Sequence, residues 1–149
     1  MNIWTKAIVF SAVTVVAFGT ALGQGDPIAE RRALMRDAHQ QERTANNIIL
    51  GKFLPDKATA AMQKIQADMT AFVELFPVGS ETGGETKADP SIWTSMDEFK
   101  AMADRTVDSA KAAELAVSNG QNAFASAWQK VAEDCSSCHQ KYTPALMIR

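Results

Sequence analysis

Between positions 58 and 76 the residues Ala58, Met62, Ile65, Met69, Phe72 and Phe76 recur at intervals of 4, 3, 4, 3 and 4. Such spacing puts one apolar side chain per turn on a single face, so the segment is an amphipathic helix that must bury that face. Three more stretches carry related stripes. Ile28, Met35, Ala38, Ala45, Ile48 and Ile49 form the first, interrupted by Gln41 and Glu42. Ile92, Met96, Phe99, Ala103, Val107, Ala110 and Val117 form the third, and Phe124, Ala127, Trp128, Val131, Cys135, Cys138 and Tyr142 the fourth. No segment alternates apolar and polar residues as a half-buried strand would. Seven Met beside a single Tyr point the same way, because straight-chain residues favour helices and aromatics favour strands. Four such helices predict an all-α fold, an antiparallel left-handed four-helix bundle with helices crossing at about 20°.

Local signals set the ends. Asp26-Pro27 and Asp89-Pro90 each combine an N-cap acid with Pro at the first helical position, where its missing N–H costs nothing. The second helix opens after Pro55-Asp56 and is expected to run to Pro77; Gly120 is expected to stop the third helix, which begins at Pro90. Residues 77–90, with Gly79, Gly83, Gly84 and Pro90, form the longest loop. The other connections are short, which makes neighbouring helices antiparallel.

Met1 to Gly23 has the parts of a secretory leader: Lys6, a short apolar run from Ala7 to Phe18, and the small-x-small end Ala21-Leu22-Gly23. The competing reading is a membrane anchor, but a span needs about 20 apolar residues. This run reaches that length only by including Gly19, Thr20 and Gly23. A leader at 1–23 leaves one domain at 24–149, exported, periplasmic and without a membrane span in its mature form. The formal net charge is −2, and loss of Lys6 makes it one unit more negative. Such a balance excludes a basic nucleic-acid binder.

The chemistry concentrates in Cys135-Ser136-Ser137-Cys138-His139, the C-x-x-C-H attachment signal for c-type haem. Two thiols at i, i+3 on a helix share one face, so both can add to vinyl groups of one porphyrin. The adjacent His139 then supplies an axial nitrogen to the iron. Three other uses of the motif compete. A Cys135–Cys138 disulfide meets demanding geometry on a helix. A thioredoxin-type pair needs a βαβ setting. A zinc site needs more ligands, and His39 is the one remaining Cys or His. No Ser/His/Asp constellation, paired-carboxylate motif or phosphate-binding Gly loop accompanies it, so the sequence does not describe a metabolic enzyme.

Other stretches bear on the class of haem protein. Arg31-Arg32-Ala33-Leu34-Met35, Leu75-Phe76-Pro77 with Gly79-Ser80, and Thr86 to Trp93 with Phe99 downstream resemble the class II cytochromes c, the cytochrome c′ family. The likeness covers roughly residues 26–142. It implies a periplasmic four-helix bundle holding one covalent haem c. It also implies Met35 over the distal face as haem contact or sixth iron ligand, Arg31 beside the haem propionates, and Trp93 and Phe99 in the haem pocket. Each has a plainer reading: Met35, Trp93 and Phe99 as bundle core, Arg31 as a surface charge. His39, one turn beyond Met35, reads as a surface or propionate-side residue. One departure stands out: Thr143 occupies the place where the family usually has a basic residue, and Lys141 points elsewhere on a helix.

The implied partners are a small redox protein, a diatomic gas ligand and a second copy of the chain. Two functions follow. With five-coordinate iron the protein carries electrons and binds nitric oxide or carbon monoxide. With Met35 ligated it is a closed, six-coordinate electron shuttle.

Overall fold

The computed structural model describes residues 25–144; the leader assigned to Met1–Gly23 lies outside them. Helix α1 spans Pro27–Leu50, α2 Pro55–Phe72, α3 Ser91–Thr94, α4 Met96–Ala116 and α5 Gln121–Tyr142, with a 3₁₀ turn at Val117–Asn119. The described chain contains no strand.

The starts follow the sequence signals. Asp26 Oδ1 accepts a hydrogen bond from the Ile28 N–H at 2.9 Å, with Pro27 opening α1. Asp89 Oδ1 does the same for the Ser91 N–H at 2.9 Å. That bond and the Ser91 side chain hold the Asp89 carboxyl below the usual carboxylate range. At Gly120, φ is 91°, a left-handed value that glycine adopts without strain, and α4 can go no further.

Two ends differ from expectation. Helix α2 stops at Phe72, a turn before Pro77. Pro77 biases Phe76 away from helical geometry. Tightened bonds from Glu74 N to the Ala71 carbonyl and from Leu75 N to the Phe72 carbonyl close the last turn early. Phe76 is still buried, so the stripe outlasts the helix. The third helix, expected to be continuous from Pro90, breaks at Ser95 (φ −136°, ψ 44°) into α3 and α4. There Ser95 Oγ donates to the Ser91 carbonyl at 2.6 Å and Thr94 Oγ1 to the same carbonyl at 3.1 Å. Such local bonds compete with the helical ladder.

The four long helices form a ring: α1 against α2, α2 against α4, α4 against α5 and α5 back against α1. Three of these seams are tight. The α1–α5 seam is the sparsest. Among its links, Trp128 Nε1 donates to Asn46 Oδ1 at 2.9 Å and Gln121 Nε2 to the Ile49 carbonyl at 2.8 Å. Both lie toward the C-terminal end of α1, leaving its N-terminal half to diverge from α5.

The core has two aromatic centres. Phe72, Phe76, Phe99 and Tyr142 pack with ring centroids 4.7–5.9 Å apart in tilted or edge-on pairs, the arrangement that ring quadrupoles favour. At the opposite end Phe124, fully buried, meets Phe53 at 6.2 Å. Phe124→Ala removes a buried ring from this second centre, far from Cys135 along α5. The expected cost is about 3–5 kcal/mol, read as a lowered denaturant midpoint, with the visible spectrum of the holoprotein unchanged.

Candidate functional site

The open half of the α1–α5 seam is a cavity of about 430 Å³, within the usual size range for small-molecule and cofactor sites. Helix α5 supplies one wall with Cys135, Cys138 and His139. Helix α1 supplies the facing wall with Arg32, Met35, Arg36 and His39 at i, i+3, i+4 and i+7, one side of a helix. Ile65, Met69 and Phe72 of α2 and Phe99 of α4 form an apolar back, and Thr86 to Ala88 close the side.

Burial sets the protonation of the α5 residues. It pushes the Cys135 thiol up to about 12, with Glu42, Cys138 and Asp134 adding to the rise. It pushes Cys138 up to about 11, opposed by Arg105. His139 is lowered, chiefly by burial, with Glu42 pulling up and His39 down. Both sulfurs are therefore thiols at neutral pH, and the imidazole is neutral with a lone pair to give a metal. Folding favours this neutral imidazole, so its contribution to stability is complete above the ordinary His range, near 6.5, and is lost as pH falls below it.

The structure brings together Cys135, Cys138, His139, Met35 and Phe99, as the sequence grouped them. Cys135 and Cys138 carry free thiols, and no cluster of three or more His, Cys, Asp or Glu side chains that could hold a metal ion occurs among the described residues. Trp93 needs correcting: it does not line the cavity. It packs on Phe76 at 5.4 Å and donates from Nε1 to the Pro77 carbonyl at 3.1 Å, one layer behind the wall. The break at Ser95 places it there, because α3 does not continue the face of α4 that carries Phe99.

Arg31 also differs from the expectation of a carboxylate partner. It is buried, at 3% exposure. Nη1 donates to the Leu75 carbonyl (3.2 Å) and Ser80 Oγ (3.0 Å), and Nη2 to the Ser80 carbonyl (2.7 Å) and Thr86 Oγ1 (2.7 Å). Its guanidinium lies 4.7 Å from the Phe76 ring and 5.4 Å from the Trp93 ring, close enough for cation–π attraction. Arg31 clamps the 77–90 loop to α1 from the edge of the cavity. Gly84 (φ 50°) assists, since a Cβ there would meet Ile28 at 3.0 Å.

Other contributors were hidden in the sequence. Ile65, Met69 and Phe72 sat on a stripe that fitted core as well as cavity. Glu42, counted as an interruption of the first stripe, faces the site. Thr143 lines the cavity and donates from Oγ1 to the His139 carbonyl at 3.1 Å, while Lys141 is drawn away by an ion pair with Glu98.

These residues fit a haem. The wall is mainly apolar, the two thiols and the imidazole share one helical face, and the Tyr142 hydroxyl is buried with no protein partner.

Comparison with known proteins agrees. A family model described as Cytochrome C′ matches residues 26–143. A cytochrome c-556 from Agrobacterium fabrum (strain C58) is 40% identical over 83 residues, 56% of this chain and 56% of that protein. The aligned stretch thus spans little more than half of that relative. The solved cytochrome c′ from Rhodopseudomonas palustris superposes with a TM-score of 0.76 at 25% identity, covering 80% of this chain and 97% of that one. A cytochrome c′ variant from Alcaligenes xylosoxidans, solved as a nitric oxide complex, shares the fold with a TM-score of 0.70 at 17% identity, over 78% and 93% of the two chains.

Proposed function

The chain belongs to the cytochrome c′ family, and on that footing we propose that it is an exported, periplasmic electron carrier that binds a small uncharged gas on the Met35 side of a five-coordinate haem iron. The family's cofactor is a covalent haem c, and its general role is electron transfer. When bound, the haem supplies a one-electron iron couple.

The chain's own residues do the rest. Cys135 and Cys138 would anchor the porphyrin, and His139 would supply its neutral nitrogen to the iron. The observation that carries the proposal is that Met35 lines the same cavity from the facing helix, with Ile65, Met69 and Phe72 behind it. These side chains offer no hydrogen-bond donor and exclude water. An uncharged diatomic enters such a space without losing a polar partner, whereas a charged ligand would have to shed its hydration. The nitric oxide complex of the Alcaligenes relative supports this reading. The leader at 1–23 supports export, and no helix among the described residues is long and apolar enough to cross a membrane. A small redox protein as electron partner and a second copy of the chain belong to the same proposal.

The placement of Met35 also favours a second reading, in which its sulfur takes the sixth position and the protein only shuttles electrons. One experiment separates the two. For the gas-binding form, the ferrous holoprotein has a broad, unsplit visible band that changes promptly on adding carbon monoxide. Met35→Ala then speeds gas binding and leaves the spin state nearly unchanged. Sharp, split low-spin bands in the wild type, converted to high-spin by Met35→Ala, establish the shuttle instead.

A further inference from the structure

The mouth of the cavity carries more charge than its surroundings account for. Arg31 is committed to Ser80, Thr86 and Leu75. Arg32 pairs with Glu85 at 2.7 Å, and His39 with Glu42 at 2.8 Å. Two cations lining the same mouth, Arg36 of α1 and Lys87 of the 77–90 loop, are exposed. Neither has an ion-pair or hydrogen-bond partner among the described residues. The chain as a whole is acidic, with a net charge of −2, so a surplus of unpaired cations here is local.

Haem carries two carboxylates. On the porphyrin they occupy the edge opposite the vinyl groups, and the vinyl groups are what Cys135 and Cys138 of α5 take. The carboxylates thus belong to the side of the cleft away from α5, where α1 and the loop provide Arg36 and Lys87. Resting on the haem-protein reading above, we propose that Arg36 and Lys87, and not Arg31, are the residues that neutralise the two haem propionates. A guanidinium presents a fork that suits a carboxylate bidentately, and an ammonium acts as a point charge. Arg31 cannot take this part without releasing the loop that carries Lys87. Loop clamp and carboxylate site are thus one assembly, with Arg31 positioning Lys87 through Thr86.

The test uses the full chain, exported and matured with its haem. Resonance Raman spectroscopy reports hydrogen bonding to haem carboxylates through the propionate-bending mode, which a purely structural change elsewhere does not move. Arg36→Gln and Lys87→Gln are expected each to lower that mode, and Arg36→Lys and Lys87→Arg to restore it. The reduction potential should fall in both Gln variants, because the ferric state gains when a nearby cation is lost. Both side chains are exposed, so the variants keep the fold. A bending mode unmoved in both Gln variants, with normal haem bands, overturns the inference and leaves the function intact. A mode moved only by Arg31→Lys also overturns it and returns the carboxylates to Arg31. A matured chain without haem bands overturns the functional reading itself.

Discussion

With Cys135 and Cys138 both replaced by Ala, acidified acetone is expected to extract all the haem, whereas the wild type releases none. On the covalent-haem reading, each thiol would add across a vinyl group, sulfur to one carbon and hydrogen to the other. The bond forms without oxidant or reductant, and acid does not reverse it. Burial holds both groups as thiols, at about 12 and about 11, so the hydrogen that the addition consumes is in place at neutral pH. Either single substitution leaves one bond, which weakens covalent retention. His139→Ala tests the other half of the motif: haem is expected to stay attached while the visible spectrum changes, because only the nitrogen that His139 would give the iron is lost. Haem extracted from the wild type by the same solvent would refute covalent attachment.

Arg31→Met is the second substitution with a large expected effect, on stability rather than on attachment. Its side chain makes four hydrogen bonds that tie residues 75–86 to α1, and it stacks over two aromatic rings. Hydrogen bonds to a charged group contribute roughly 1.5–3 kcal/mol each. Water can replace part of this around the half-buried Thr86 but little of it at the buried Ser80. A loss of about 3 kcal/mol or more is expected, measured by urea unfolding. Faster hydrogen exchange across 77–90 and a changed Trp93 emission should accompany it, since Trp93 lies against the guanidinium. Arg31→Lys should recover only part, because an ammonium cannot reach four acceptors spread over this loop. Unchanged exchange in 77–90 would show that other contacts hold the loop.

The contrast between these two sites explains what the sequence could show. Cys135, Cys138 and His139 were legible because their chemistry depends on spacing along one helix, which a sequence displays directly. The α2 stripe was legible for the same reason. Arg31 was not, since its partners lie 44–55 positions away in a loop without periodicity. Ile65, Met69 and Phe72 were legible as inward-facing residues but not as cavity wall, because core and cofactor pocket make the same demand for apolar surface. Trp93 was misplaced by the unforeseen break at Ser95, where two hydroxyls rather than a Gly or Pro interrupt the helix. The early end of α2 belongs to the same kind: Pro77 signalled a stop, but the closing bonds at Glu74 and Leu75 set where it falls.

If haem is attached as proposed, the sparse α1–α5 seam would give maturation a means of inspection. Three seams are closed by the chain's own side chains, and on the proposed export the fourth would be closed by a part added afterwards. On that export, Cys135, Cys138 and His139, near the end of α5, would cross the membrane after everything they must close against. Until the porphyrin is bonded, the flank between Met35 and His139 rests on few contacts, and local opening there exposes backbone to proteases. Afterwards a haem held by Cys135, Cys138 and His139 would bridge the flank. In the proposed periplasmic setting, survival would then be a record that maturation was completed, written into the packing of one helix pair.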